Sequence, residues 1–84
     1  MEEKKWSVYI LECLDGTFYT GITNDIEKRM KAHSTGKGSK YVAAKGFKRL
    51  ITSKEYKNKS EASKAEYNIK QLKKHEKLIS QLIL

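Results

Sequence analysis

The chain has no proline and a single cysteine, Cys13. One cysteine excludes a disulfide framework and a cysteine metal centre within the chain, and it fits a reducing cytoplasm. Without proline there is no proline-rich linker, and neither repeats nor low-complexity segments divide the sequence. No apolar run reaches the length of a signal peptide or a membrane span, so the expectation is a cytoplasmic protein with no membrane partner. A third absence is more pointed. Residues 28 to 54 hold nine basic side chains and not one carboxylate.

What is present is basic. Lys and Arg number 18 against 10 Asp and Glu, a net charge of +8 over 84 residues. A long stretch of one sign sets up a field that attracts a polyanion and holds it by counterion release. Nucleic acid is the expected partner, against the plainer reading of a solvated lysine-rich surface. The length suits one domain over residues 1–84, with 38% hydrophobic residues to build one modest core.

Residues 6 to 13 alternate as a strand, with Trp6, Val8 and Ile10 on one face and Ser7, Tyr9, Leu11 and Cys13 on the other. Asp15-Gly16 signals a hairpin turn, and residues 17 to 22 form the return strand. Register decides where the tyrosines fall. A two-residue turn separates Tyr9 and Tyr19 onto opposite faces. A three-residue loop, Leu14-Asp15-Gly16 with Gly16 left-handed, pairs Tyr9 with Gly21 and makes the tyrosines diagonal neighbours. Gly21 then leaves a gap beside Tyr9 that a phosphate could enter.

Asn24 is the expected cap of a first helix, with Glu27 three residues on and Ile26 and Met30 as its buried stripe. The helix should end near Ser34. A short helix is expected around residues 40–45, then a third strand from Arg49 to Tyr56. Asn58 and Glu61 begin another helix, with Ala62, Ala65, Ile69 and Leu72 as its apolar stripe. Leu78, Ile79, Leu82 and Ile83 suggest a covering helix over residues 75–84, after a motif-bearing core of residues 6–74. The order is β-β-α-β-α-α: a small α+β domain with a three-stranded antiparallel sheet flanked by helices.

Three groups of residues could carry chemistry. Tyr9 and Tyr19 are catalytic candidates, though paired strand tyrosines more often serve packing. Arg29 and His33 share one helix face. They could be a phosphate-binding cation and a proton-transfer group, or plain surface charge. Glu66 borders an apolar stripe and needs a partner, which could be a lysine or a divalent cation.

Ser7-Val8-Tyr9, Tyr19-Thr20-Gly21, Asn24, Arg29, His33 and Glu66, in that order, resemble the GIY-YIG nuclease family. The stretch from His33 to Tyr41, with Lys59-Ser60-Glu61-Ala62 and Glu66-Tyr67-Asn68-Ile69, is similar to its small, single-domain, stand-alone bacterial members. The likeness covers most of the chain. Ser7 stands where the family has glycine and Thr20 where it has isoleucine. Ile22 occupies a position where some related enzymes carry a lysine, so any base-activating lysine has to come from elsewhere.

The resemblance implies an endonuclease that hydrolyses a DNA phosphodiester with water and one Mg²⁺ (or Mn²⁺) ion held by Glu66. It implies catalytic roles for Tyr9, Tyr19, Arg29, His33 and Glu66. Arg29 would grip the scissile phosphate. One tyrosine would accept the proton of the attacking water, with Tyr9 preferred and Tyr19 positioning it. Nearby positive charge would have to lower the phenol from its usual value of about 10. His33 would take that proton on or orient the tyrosine. Lys28, Lys31, Lys37, Lys40, Tyr41, Lys45, Lys48, Arg49 and Lys70 would follow the DNA backbone, with Tyr41 able to stack on a base and Phe47 more suited to packing. Little in the sequence suits base reading. Single-stranded or branched DNA is therefore favoured, cut in repair, recombination or processing by a monomer or weak homodimer. The alternative is a DNA- or RNA-binding module on the same fold that does not cut.

Overall fold

The computed structural model describes residues 5–71. The expected covering helix over residues 75–84, and Leu72 of the α3 stripe, lie outside the described residues. Six elements follow in order: β1 (Trp6–Cys13), β2 (Phe18–Thr23), α1 (Ile26–Ser34), α2 (Lys40–Lys45), β3 (Phe47–Tyr56) and α3 (Lys59–Lys70). The three strands form one antiparallel sheet in the order β2-β1-β3.

The central strand is buried on both faces. Val8 and Ile10 pack with Ala62 and Ile69 of α3 on one side. Tyr9, Leu11 and Cys13 pack with Val42 of α2 on the other, flanked by Ile26 and Met30 of α1. Burying a Val, Leu or Ile side chain in full is worth about 1.5–3 kcal/mol, so this alternation specifies the strand's register strongly. β3 starts at Phe47, two residues earlier than the sequence pattern suggested. Its pairing with β1 shifts twice, bringing Leu50 opposite Leu11 and Phe47 opposite Cys13. Both side chains then join the second core.

The hairpin takes the three-residue loop. Gly16 has φ of 85°, Gly16 N–H donates to Cys13 C=O at 3.0 Å, and Tyr9 pairs with Gly21. Asp15 braces the turn: its Oδ1 accepts from Thr17 N–H at 3.0 Å and Thr17 Oγ1 at 2.6 Å.

One cap differs from expectation. The residue that caps α1 is Asp25, not Asn24: its backbone is extended and its Oδ1 accepts from Lys28 N–H at 3.1 Å. Thr23 holds Asp25 in place by accepting from its N–H and donating to its C=O. With the cap one residue later, Glu27 no longer lies three residues beyond it, and the Asn24–Glu27 capping box cannot form. Asn58 caps α3 as expected, accepting from Glu61 N–H at 2.9 Å.

Candidate active site

The hairpin register places Tyr9 and Tyr19 on one face of the sheet. Tyr19 lies opposite Leu11 and so diagonal to Tyr9, with ring centroids 6.3 Å apart. α1 crosses this face and delivers His33. The Tyr9 hydroxyl and His33 Nε2 are 2.8 Å apart in a buried hydrogen bond. The two tyrosine rings each meet the imidazole edge-on, at 5.6 and 5.7 Å.

The imidazole is held on several sides. Phe47 stacks on it with ring centroids 6.4 Å apart and the two planes nearly parallel. Gly38 lies so close that a β-carbon there would sit 2.7 Å from His33 Cγ. His33 Nδ1 has no hydrogen-bond partner among the described residues. His33 is therefore not plain surface charge on its helix: it is 2% exposed. Gly38 was missed in the sequence, where the only available signal was the pair Gly36 and Gly38 just past α1.

The gap beside Gly21 does not stay open. A β-carbon at Gly21 would lie 2.6 Å from Tyr9 Cζ, so the phenol ring of Tyr9 itself occupies the space expected to admit a phosphate. Glycine is required because the Tyr9 ring crosses the neighbouring strand there.

Electrostatics also depart from expectation. Burial pushes the Tyr9 phenol well above its ordinary value, with the neighbouring Tyr19 adding to the rise. The Arg29 charge pulls the other way and is outweighed. Positive charge therefore does not lower Tyr9 in the folded chain. Burial, seconded by Arg29, pushes His33 below its ordinary value. Near neutral pH the pair consists of a neutral phenol and a neutral imidazole. Tyr19 stays partly exposed, and the half-exposed Tyr41 of α2 stacks on it at 5.8 Å.

Arg29 Nη1 points to Gly38 C=O at a long 3.5 Å. Glu66, on α3, is close enough for its charge to act on Tyr9. Its side chain is 22% exposed and pairs with Lys70 at 3.3 Å, so the partner present is the lysine. No cluster of three or more His, Cys, Asp or Glu side chains gathers among the described residues. A single recessed carboxylate is a donor set that Mg²⁺ accepts, since that ion keeps most of its waters and completes its shell with phosphate oxygens.

The basic stretch is less uniform in space than in sequence. Lys45 pairs with Asp15 at 3.0 Å, while Arg49 and Lys48 reach Glu12 at 2.9 and 3.8 Å. These carboxylates come from β1 and the hairpin, outside residues 28–54. Lys28, Lys31, Lys37 and Lys40 are exposed and make no ion pair among the described residues. No helix among the described residues is long and apolar enough to cross a membrane.

A sheet that aligns two tyrosines beside an arginine and a histidine of the following helix, with a glutamate on a later one, defines a class. The chain belongs to the GIY-YIG catalytic domain family, which matches residues 5–79. Within it the chain groups with the UPF0213 proteins. It is 49% identical over 78 residues to the UPF0213 protein OB0043 of Oceanobacillus iheyensis, covering 93% of this chain and 90% of that one. It is 43% identical over 70 residues to the UPF0213 protein VNG_2274C of Halobacterium salinarum, covering 83% and 91%. The solution NMR structure of the UPF0213 protein BH0048 from Bacillus halodurans matches with a TM-score of 0.55 and 44% identity, over 94% of this chain and 82% of that one. The likeness extends to the α+β architecture and its three-stranded antiparallel sheet.

Proposed function

We propose that this chain is a metal-assisted DNA endonuclease acting on single-stranded or branched DNA in the cytoplasm, in repair, recombination or processing. The observation that carries the reading is the convergence of Tyr9, Tyr19, His33 and the charge of Arg29 at one place on the sheet.

Arg29 binds the scissile phosphate and stabilises the charge that develops as the bond breaks. Tyr9 is 1% exposed and its hydroxyl is committed to His33, so a free phenolate there is disfavoured. Tyr19 is the tyrosine that keeps access to solvent, and it is the better placed to meet the attacking water and take its proton. Tyr9 and His33 form a neutral, buried brace that holds the Tyr19 ring. Glu66 would hold one Mg²⁺ or Mn²⁺ once Lys70 yields the carboxylate. Such an ion, when bound, would supply charge stabilisation at the phosphate and the leaving oxygen. Lys28, Lys31, Lys37 and Lys40 carry the backbone contacts, with Tyr41 at the edge of the aromatic group open to a base.

The deciding experiment is cleavage of labelled single-stranded, duplex, flapped and branched DNA with Mg²⁺ or Mn²⁺ and with EDTA. Metal-dependent cutting that is lost in Arg29→Ala and Glu66→Ala supports the reading. Tight, salt-sensitive binding without cutting on any substrate would leave a binding module on this fold.

A further inference from the structure

A cleft of about 330 Å³ opens beside the tyrosine–histidine group, between the start of α1 and the loop that follows it. Its walls include Asn24, Asp25, Lys28, Arg29, Lys37 and Gly38. Three cations therefore face one hollow, with a single carboxylate among them. That carboxylate is engaged, since Asp25 Oδ1 accepts the backbone N–H of Lys28. Neither Lys28 nor Lys37 pairs with an acid among the described residues, in contrast to Lys45, Lys48 and Arg49.

We propose that this cleft is a nucleotide subsite: it takes the phosphate and sugar of the unit next to the one that is cut. Arg29 links the two places, because it lines the cleft while its charge acts on Tyr9 and His33. An anion in the cleft relieves the mutual repulsion of the three cations and gains charge-assisted hydrogen bonds. Size restricts the ligand. Small-molecule sites begin at about 300 Å³, so the cleft admits one nucleotide and no helical segment. A flat lysine surface would serve any polyanion equally. A concave one requires the sugar-phosphate chain to bend inward, which an unpaired strand does more easily than a stacked duplex. The subsite thus gives single-stranded preference a physical origin. It deepens the nuclease reading and rests on it for the identity of the neighbouring unit.

The test is ¹⁵N NMR titration of the full chain with thymidine 3′,5′-bisphosphate and, separately, with inorganic phosphate. The bisphosphate should shift the amides of Asn24, Lys28 and Gly38 and bind more tightly than phosphate. Lys28→Ala/Lys37→Ala should weaken it by about tenfold or more, the loss expected for two charge-assisted contacts. Lys57→Ala/Lys64→Ala removes the same charge from around α3 and should leave the bisphosphate in the cleft. In a single-stranded oligonucleotide the cleft variant should lower the salt slope of binding by about 1.4, at about 0.7 per contact. The proposal is overturned by equal weakening in both double variants, by shifts spread over every lysine-bearing surface, by equal affinity for phosphate and bisphosphate, or by no shift at millimolar ligand. These readouts are independent of cutting. Cleft binding in a chain that cuts nothing would leave the subsite standing and remove the nuclease reading. Cutting by a chain with no cleft binding would do the reverse.

Discussion

The Tyr9 hydroxyl and His33 Nε2 are joined at 2.8 Å across 24 residues of sequence, in a part of the fold that water does not reach. His33 Nδ1 makes no hydrogen bond among the described residues, so this is the one such bond the ring has there. Tyr9→Phe leaves the imidazole with neither nitrogen satisfied. The expected loss is about 1–3 kcal/mol, the cost of stranding a buried polar group. For a domain of this size that lowers Tm by roughly 4–8 °C per kcal/mol, measurable by circular dichroism. Tyr19→Phe should cost less stability and more cutting, because Tyr19 keeps its solvent access and is the proposed proton acceptor. The reverse ordering would restore Tyr9 as the base.

The His33 titration gives a pH dependence with a definite sign. Its folded-state value lies below the ordinary 6.5, by burial first and the Arg29 charge second. Between the two values the unfolded chain binds the proton and the folded chain does not. Stability should therefore be flat above the ordinary value and fall as pH drops below it, levelling off beneath the folded-state value. Arg29→Ala removes one of the two causes, so the imidazole midpoint followed by NMR should move upward. The same variant should lower cutting by about 10²–10³-fold, the usual effect of removing one donor to transition-state charge.

Gly38 and His33 are packed too closely for any side chain between them. A β-carbon at Gly38 would lie 2.5 Å from Nδ1 and 2.8 Å from Cε1 of a ring already bounded by Phe47. Gly38→Ala should cost about 1–3 kcal/mol by overpacking and disturb the His33 resonances. At Gly36 the nearest neighbour to such an atom is Ala43 Cβ at 3.9 Å, so only the positive φ of 78° opposes substitution. Gly36→Ala should cost about 1 kcal/mol, the strain of the left-handed region, and leave His33 undisturbed. Comparison of the two variants by denaturation and NMR separates the two causes.

Thr20 stands where the family resemblance has isoleucine, and the structure shows the consequence. It is 1% exposed, on the face of the sheet that packs against α3, and its hydroxyl has no hydrogen-bond partner among the described residues. Thr20→Val keeps the shape and removes the stranded hydroxyl. The chain should become more stable by about 1 kcal/mol, read as a higher Tm. An unchanged or lower Tm would indicate that the hydroxyl is satisfied.

In the proposed nuclease a divalent cation would have to compete with Lys70 for Glu66. An i, i+4 ion pair is worth about 0.3–0.5 kcal/mol, so its removal should strengthen metal binding about twofold. Lys70→Met should show this in Mn²⁺ titration by electron paramagnetic resonance, without DNA. Glu66→Gln should abolish the binding. Equal affinity in Lys70→Met and the wild-type chain would place the ion away from this carboxylate.

Much of this protein follows from local chemistry in its sequence. A left-handed glycine closes the hairpin at Gly16 and thereby pairs Tyr9 with Gly21. Alternation assigns Val8 and Ile10 to one core and Tyr9 and Leu11 to the other. Asn58 caps α3 because its side chain meets a backbone N–H three residues ahead. Each signal acts within a few residues, though residue type alone leaves two hairpin registers open and the left-handed backbone at Gly16 selects one. The choice of Asp25 over Asn24 as the cap of α1 is equally local but not legible from residue type, since both side chains can accept the same kind of bond and the hydrogen bonds of Thr23 decide between them.

Tertiary structure decided the rest. It folded the Tyr9 ring over Gly21 where a gap was expected, and it sealed His33 between Phe47 and Gly38. It reversed the expected shift of Tyr9 and paired three members of the basic stretch with Glu12 and Asp15. The physical reason is common to all of these. Desolvation and charge pairing depend on which distant groups the fold brings within a few ångströms. Residue type and spacing along a chain specify which groups are available, and only packing specifies which of them meet and which lose their water.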